Sequence, residues 1–96
     1  MGSFIFTAEE MKRIQKRMEK QEIVTVDLHG MKCADAKRFV KNIIALHQGA
    51  FLLELIHGYN GGTSLKRMIF SGMFSSRVKE RISHPGNYGL TTLVVG

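Results

Sequence analysis

At 96 residues the chain can bury one core of modest size and has no room for a second. Hydrophobic residues make up 44% and charged residues 23%, an ordinary globular balance that excludes a disordered chain, and no apolar run approaches the roughly 20 residues needed to span a bilayer. Lysine and arginine total 14 against 8 acidic residues, a net charge of +6 that attracts polyanions at long range and weakens with salt.

The first stretch, residues 1–22, reads as a basic amphipathic helix. Thr7 can cap it, Glu10 completes a capping box, and Phe6 can staple onto Met11. Met11, Ile14 and Met18 share one narrow stripe, and around it lie Lys12, Arg13, Lys16, Arg17 and Lys20. Such a helix serves as an electropositive arm, as the contact of a homodimer, or as a solvated element held to the domain by three side chains, and the last is the commonest fate of a charged helix.

Residues 23–96 carry the domain itself. Ile23 to Leu28 is β-branched and apolar, interrupted at Thr25 and Asp27, and fits a strand that stops at Gly30. Cys33 is the lone cysteine and cannot form an internal disulfide; with no cationic-then-apolar signal at the amino terminus, a cytoplasmic protein with no membrane partner is expected. Ala36, Phe39, Val40, Ile43 and Ile44 recur at helical spacing, and Gly49 closes that helix. Ala50 to Ile56 is apolar except for Glu54, as expected of a strand covered on both faces and parallel to the first.

A glycine-rich run follows His57, then Thr63 as a helix cap, with Leu65, Met68 and Ile69 on one face of a second helix. Arg77 to Ser83 reads as a strand, Pro85-Gly86-Asn87 as a turn, and Leu90 to Val95 as the closing strand of a hairpin with a long loop. The expected order is therefore β-α-β-α-β-β after the amino-terminal helix.

Two pieces stand out for chemistry: Asp27-Leu28-His29-Gly30 after the first strand and His57-Gly58-Tyr59-Asn60-Gly61-Gly62 after the second. In a crossover unit both strand ends point the same way, so both loops emerge on one edge, each leading into a helix amino terminus that favours an anion. Two imidazoles would flank one crevice, as acid and base in phosphodiester cleavage or simply as donors to phosphate. Asp27 would orient an imidazole, hold a metal, or cap the turn that follows it. Four scattered histidines and one cysteine do not reproduce a zinc spacing, and one acidic residue makes a poor magnesium site unless phosphate oxygens complete it, so no metal or other cofactor is required.

Lys66 and Arg67 sit in the first turn of the glycine-loop helix, where cations oppose the dipole and call for an anionic neighbour or open solvent. Arg77, Lys79 and Arg81 alternate along the expected strand and would share one face, a stripe suited to a nucleic-acid backbone or a charge-protected edge. Tyr59 and Tyr88 fall in loops at the same edge, where rings stack on unpaired bases or pack on the loops themselves.

Asp27-Leu28-His29-Gly30, then Ile56-His57-Gly58 with its glycine loop and Leu65-Lys66, then Pro85-Gly86-Asn87-Tyr88-Gly89-Leu90-Thr91, in that order and spacing, resemble the Smr (small MutS-related) domain over residues 23–96. The resemblance implies a two-layer α/β sandwich with a mixed four-stranded sheet and two helices, similar to the carboxy-terminal domain of translation initiation factor 3. It also implies RNA or DNA as partner and, in several members, endonuclease activity, sometimes aided by a divalent metal such as Mg2+. By position Asp27, His29 and Gly30 match the first motif, and His57 and Gly58 the second. Asn60 stands where the family has its second glycine, and the Gly61-Gly62 loop is one residue longer, which shifts backbone N–H groups relative to His57 and weighs against cleavage more than against binding.

The expectation is thus an Smr-like nucleic-acid-binding domain. Catalysis would fall to Asp27, His29 and His57, and backbone contacts to Gly30, Gly58, Tyr59, Asn60, Gly61, Gly62, Thr63, Lys66, Arg67, Arg77, Lys79 and Arg81. A silent binding module and a small-molecule phosphate binder are the alternatives.

Overall fold

A computed structural model describes residues 7–17, 22–58, 63–71 and 74–96. Helix α1 (Ala8–Arg13) leads into strand β1 (Ile14–Arg17); β2 (Ile23–Asp27), helix α2 (Cys33–Leu46), β3 (Phe51–Ile56), helix α3 (Thr63–Ser71), β4 (Val78–His84) and β5 (Asn87–Val95) follow. Among the described residues the strands form a mixed sheet in the order β1-β2-β3-β5-β4. The expected four strands are its β2-β3-β5-β4 portion, with β2 and β3 parallel and both β3–β5 and β4–β5 antiparallel.

The amino-terminal helix is shorter than expected. Its capping box forms, with Glu10 N–H donating to Thr7 Oγ1 and Thr7 N–H to Glu10 Oε1, each at 3.1 Å. From Ile14, however, the chain pairs antiparallel with β2, Ile14 opposite Val26, so over residues 14–17 strand pairing replaces the expected helix. Ile14 packs on the core, and Arg38 Nη2 donates to Glu10 Oε2 at 2.7 Å, docking α1 on α2. Phe6, Met18 and Lys20 lie outside the described residues.

The core is one layer between the sheet and its helices. All five periodic positions of α2 are buried, as are Leu65 and Ile69 of α3, against Val24, Val26, Phe51, Leu53, Leu55, Leu93 and Val95 of the sheet. Because both helices cover the same face, β3 is not covered on both. Phe51, Leu53 and Leu55 are buried, while Leu52 and Glu54 are half-buried and Ile56 is exposed on the other side. The hairpin also differs from expectation: Pro85 and Gly86 alone turn the chain, and β5 begins at Asn87.

Candidate functional site

The carboxyl ends of β2 and β3 lie side by side, Asp27 opposite Ile56, and Leu90 of β5 lies opposite Ile56 on the other flank. Three sequence motifs far apart in the chain therefore meet at one edge of the sheet. Leu28 N–H donates to Ile56 O at 2.7 Å, and His57 N–H and Gly58 N–H both donate to Gly89 O, at 2.8 and 3.2 Å.

The first loop is a tight turn closed by Met31 N–H on Leu28 O at 2.9 Å, with Gly30 at φ +81°, a left-handed position where a Cβ is strained. Asp27 Oδ1 accepts the His29 N–H at 2.9 Å, so of its three prospective roles the turn-capping one is formed. His29 is exposed, and the Cδ2 edge of its ring abuts Gly58: a Cβ built there would stand 3.0 Å from His29 Cδ2, and Gly58 has φ +83° as well. Gly89 in turn abuts Gly58, whose Cα would lie 3.3 Å from a Cβ at Gly89. The glycines are what let the three loops touch.

The two histidines, matched in sequence, have different surroundings. His57 is 1% exposed. Its Nδ1 lies 3.1 Å from Gly58 O and its Nε2 2.9 Å from Thr91 Oγ1. Since a carbonyl only accepts, Nδ1 carries a proton, and in the neutral ring that burial favours Nε2 then accepts from the Thr91 hydroxyl, so both nitrogens are engaged. Burial holds its pKa below the usual histidine range, against the raising effect of the Gly58 carbonyl, and the Lys66 cation lowers it further. His57 ties β3 to β5; His29 is the imidazole that faces solvent.

Arg13 is a site-supporting residue that sequence patterning misses. Its Nη1 donates to Asp27 O at 2.7 Å and to His29 O at 3.1 Å, so the end of α1 braces the first loop. No local signal announces this pairing, which spans 14 and 16 residues of chain.

Lys66 and Arg67 are brought to the same edge by α3, which opens at Thr63; Arg67 is exposed and Lys66 half-buried, with its Nζ 5.6 Å from the centre of the Tyr88 ring. Tyr59, Asn60, Gly61 and Gly62 lie outside the described residues.

The Arg77, Lys79 and Arg81 stripe is not formed as expected. Arg77 precedes β4, and a register shift between Val78 and Glu80 breaks the alternation. Arg77 sits at the opposite end of the sheet, where its guanidinium donates to Ile44 O, His47 O and Gly49 O at 2.6–2.7 Å, closing the carboxyl end of α2. Arg81 Nε does the same for α3 through Ile69 O at 2.8 Å, while the Lys79 stem packs along Gly96.

Among the described residues no three His, Cys, Asp or Glu side chains converge on a metal position, and Asp27 Oδ1 accepts the His29 N–H. No helix of the described residues is long and apolar enough to cross a membrane. Set against known proteins, the chain matches no family model, no curated protein and no solved structure.

Proposed function

We propose that this domain binds the phosphate backbone of RNA or DNA at the edge where the three loops meet. The observation that carries the proposal is the set of groups at that edge: solvent-facing His29 beside Gly58, and Lys66 and Arg67, the fourth and fifth residues of α3, a helix with no acidic residue in its first turn. Cations placed against the positive end of a helix dipole are stabilised by an anion bound between them and the backbone N–H groups. The α2 amino terminus, whose Lys32 makes no side-chain cap, opens beside the same loop. The net charge of +6 supplies long-range attraction. The likeness of the three motifs to the Smr domain points the same way, and with it the likeness of that fold to the carboxy-terminal domain of translation initiation factor 3.

Backbone cleavage is the second reading, favoured by the exposure of His29. It would rest on His29, oriented by the turn that Asp27 caps; His57, buried with both nitrogens engaged, fits the work of holding the loops together.

The test is binding and cleavage of end-labelled single-stranded RNA, structured RNA, duplex DNA and branched DNA, with and without magnesium, by the native chain, His29→Ala and the Lys66→Ala/Arg67→Ala double variant. A salt-sensitive complex weakened by the double variant supports the site. Cutting abolished by His29→Ala while binding persists makes it a nuclease. No complex with any polynucleotide, or one displaced by millimolar-range inorganic phosphate alone, rejects a polyanion site.

A further inference from the structure

Among the described residues Tyr88 is the most exposed of the large apolar side chains, at 61%. Lys66 Nζ stands 5.6 Å from its ring centre, within cation–π range. The backbone explains why the ring reaches α3 at all. β5 pairs with β4 in regular steps through Ile82 opposite Thr92 and Ser83 opposite Thr91, then jumps to His84 opposite Asn87. Tyr88, Gly89 and Leu90 thus bulge against a single step of β4, and the Gly89 carbonyl in that bulge receives the His57 and Gly58 N–H groups. Bulges beside sites re-aim side chains, and this one puts Tyr88 next to the loops that carry His29 and His57.

An aromatic ring with a cation over one face has its other face to offer. The π-face of a base is available in a single strand or loop, whereas in a duplex it is covered by its neighbours. We infer that the edge takes an unpaired nucleotide, its base stacked on Tyr88 and the adjoining phosphate at Lys66 and Arg67. The inference rests on the polyanion site proposed above and adds a substrate class to it: single-stranded segments in preference to duplex.

The experiment compares affinities for a short single strand and for the duplex of the same sequence in the native chain, Tyr88→Ala, Tyr88→Phe and Tyr88→Trp. Tyr88→Ala is expected to weaken single-strand binding about tenfold, the worth of one base–aromatic stack, and to leave duplex binding unchanged, while Tyr88→Phe keeps native affinity for both. The chain has no tryptophan, so emission of the Tyr88→Trp variant reports on that ring alone; single strand should quench it and duplex should not. Equal losses for both ligands in Tyr88→Ala, no loss for either, or emission untouched by single strand would overturn the stacking inference while leaving the polyanion site standing. Absence of any complex with the native chain would remove the site and the inference together.

Discussion

His57 Nε2 lies 2.9 Å from Thr91 Oγ1, both side chains buried, and this bond joins the end of β3 to β5 beneath the loop edge. His57→Ala would leave a cavity and a buried hydroxyl without its partner, a loss of about 3 kcal/mol in unfolding free energy. His29→Ala, at an exposed position, should change stability by no more than about 0.5 kcal/mol. Denaturant titration of the two variants separates the roles, and equal losses would contradict them.

The same burial makes His57 a source of pH dependence. Its native pKa lies below the usual histidine value, so as pH falls from about 6.5 the unfolded chain takes up a proton there that the native state does not. Stability contributed by the neutral ring is therefore present above that value and lost as pH falls toward the depressed native pKa. Glu10 is shifted down as well: burial raises its pKa, but the Thr7 N–H and Arg38 outweigh that and hold it below the ordinary carboxylate value, so its stabilisation is lost only as pH falls through the acid range below that value. Urea midpoints measured from neutral to mildly acidic pH should fall more steeply for the native chain than for His57→Gln. Parallel curves would count against a buried neutral His57.

Arg77 closes the carboxyl end of α2 through three carbonyls and reaches Gly96 O at 3.2 Å as well. Arg77→Ala should cost about 2 kcal/mol of stability, as the removal of charge-assisted bonds to helix-end carbonyls does, and leave the salt dependence of nucleic-acid binding unchanged. A flattened salt dependence in the folded variant would place Arg77 in the interface after all.

Arg13 joins the amino-terminal segment to the first loop. Arg13→Ala should destabilise the domain by about 1 kcal/mol and speed amide exchange at His29 and Gly30 more than at residues of β3. Uniform acceleration across the sheet would mean that the segment supports the whole fold and not the loop.

The parts of this architecture legible in the sequence are those set by local periodicity and local caps. The helical spacing of Ala36, Phe39, Val40, Ile43 and Ile44 marks the buried face of α2 outright, and Thr7 with Glu10 marks the start of α1. What patterning misreads is settled by distant partners. Ile14 fits a helical stripe equally well until β2 offers it Val26 across an antiparallel pair. The alternation of Arg77, Lys79 and Arg81 holds no sign of the bulge that breaks it, nor of carbonyls 28 to 33 residues away that take up Arg77. The contrast between the two His-Gly pairs is likewise non-local: β3 lies between β2 and β5, so the residue after it is covered by Gly89 and Thr91, whereas β2 has only the four-residue β1 on its outer side and His29 stays in solvent.

The most direct measurement of the central claim is the slope of log affinity against log salt for a short single-stranded oligonucleotide, in the native chain and in Lys66→Ala/Arg67→Ala. A phosphate site at the loop edge predicts a steep negative slope in the native chain, reduced by about one to two in the double variant, because a phosphate that no longer meets a cation keeps its counterion. Identical slopes in the two chains would show that nucleic acid, if bound, lies elsewhere on the protein, and would contradict the assignment of this edge.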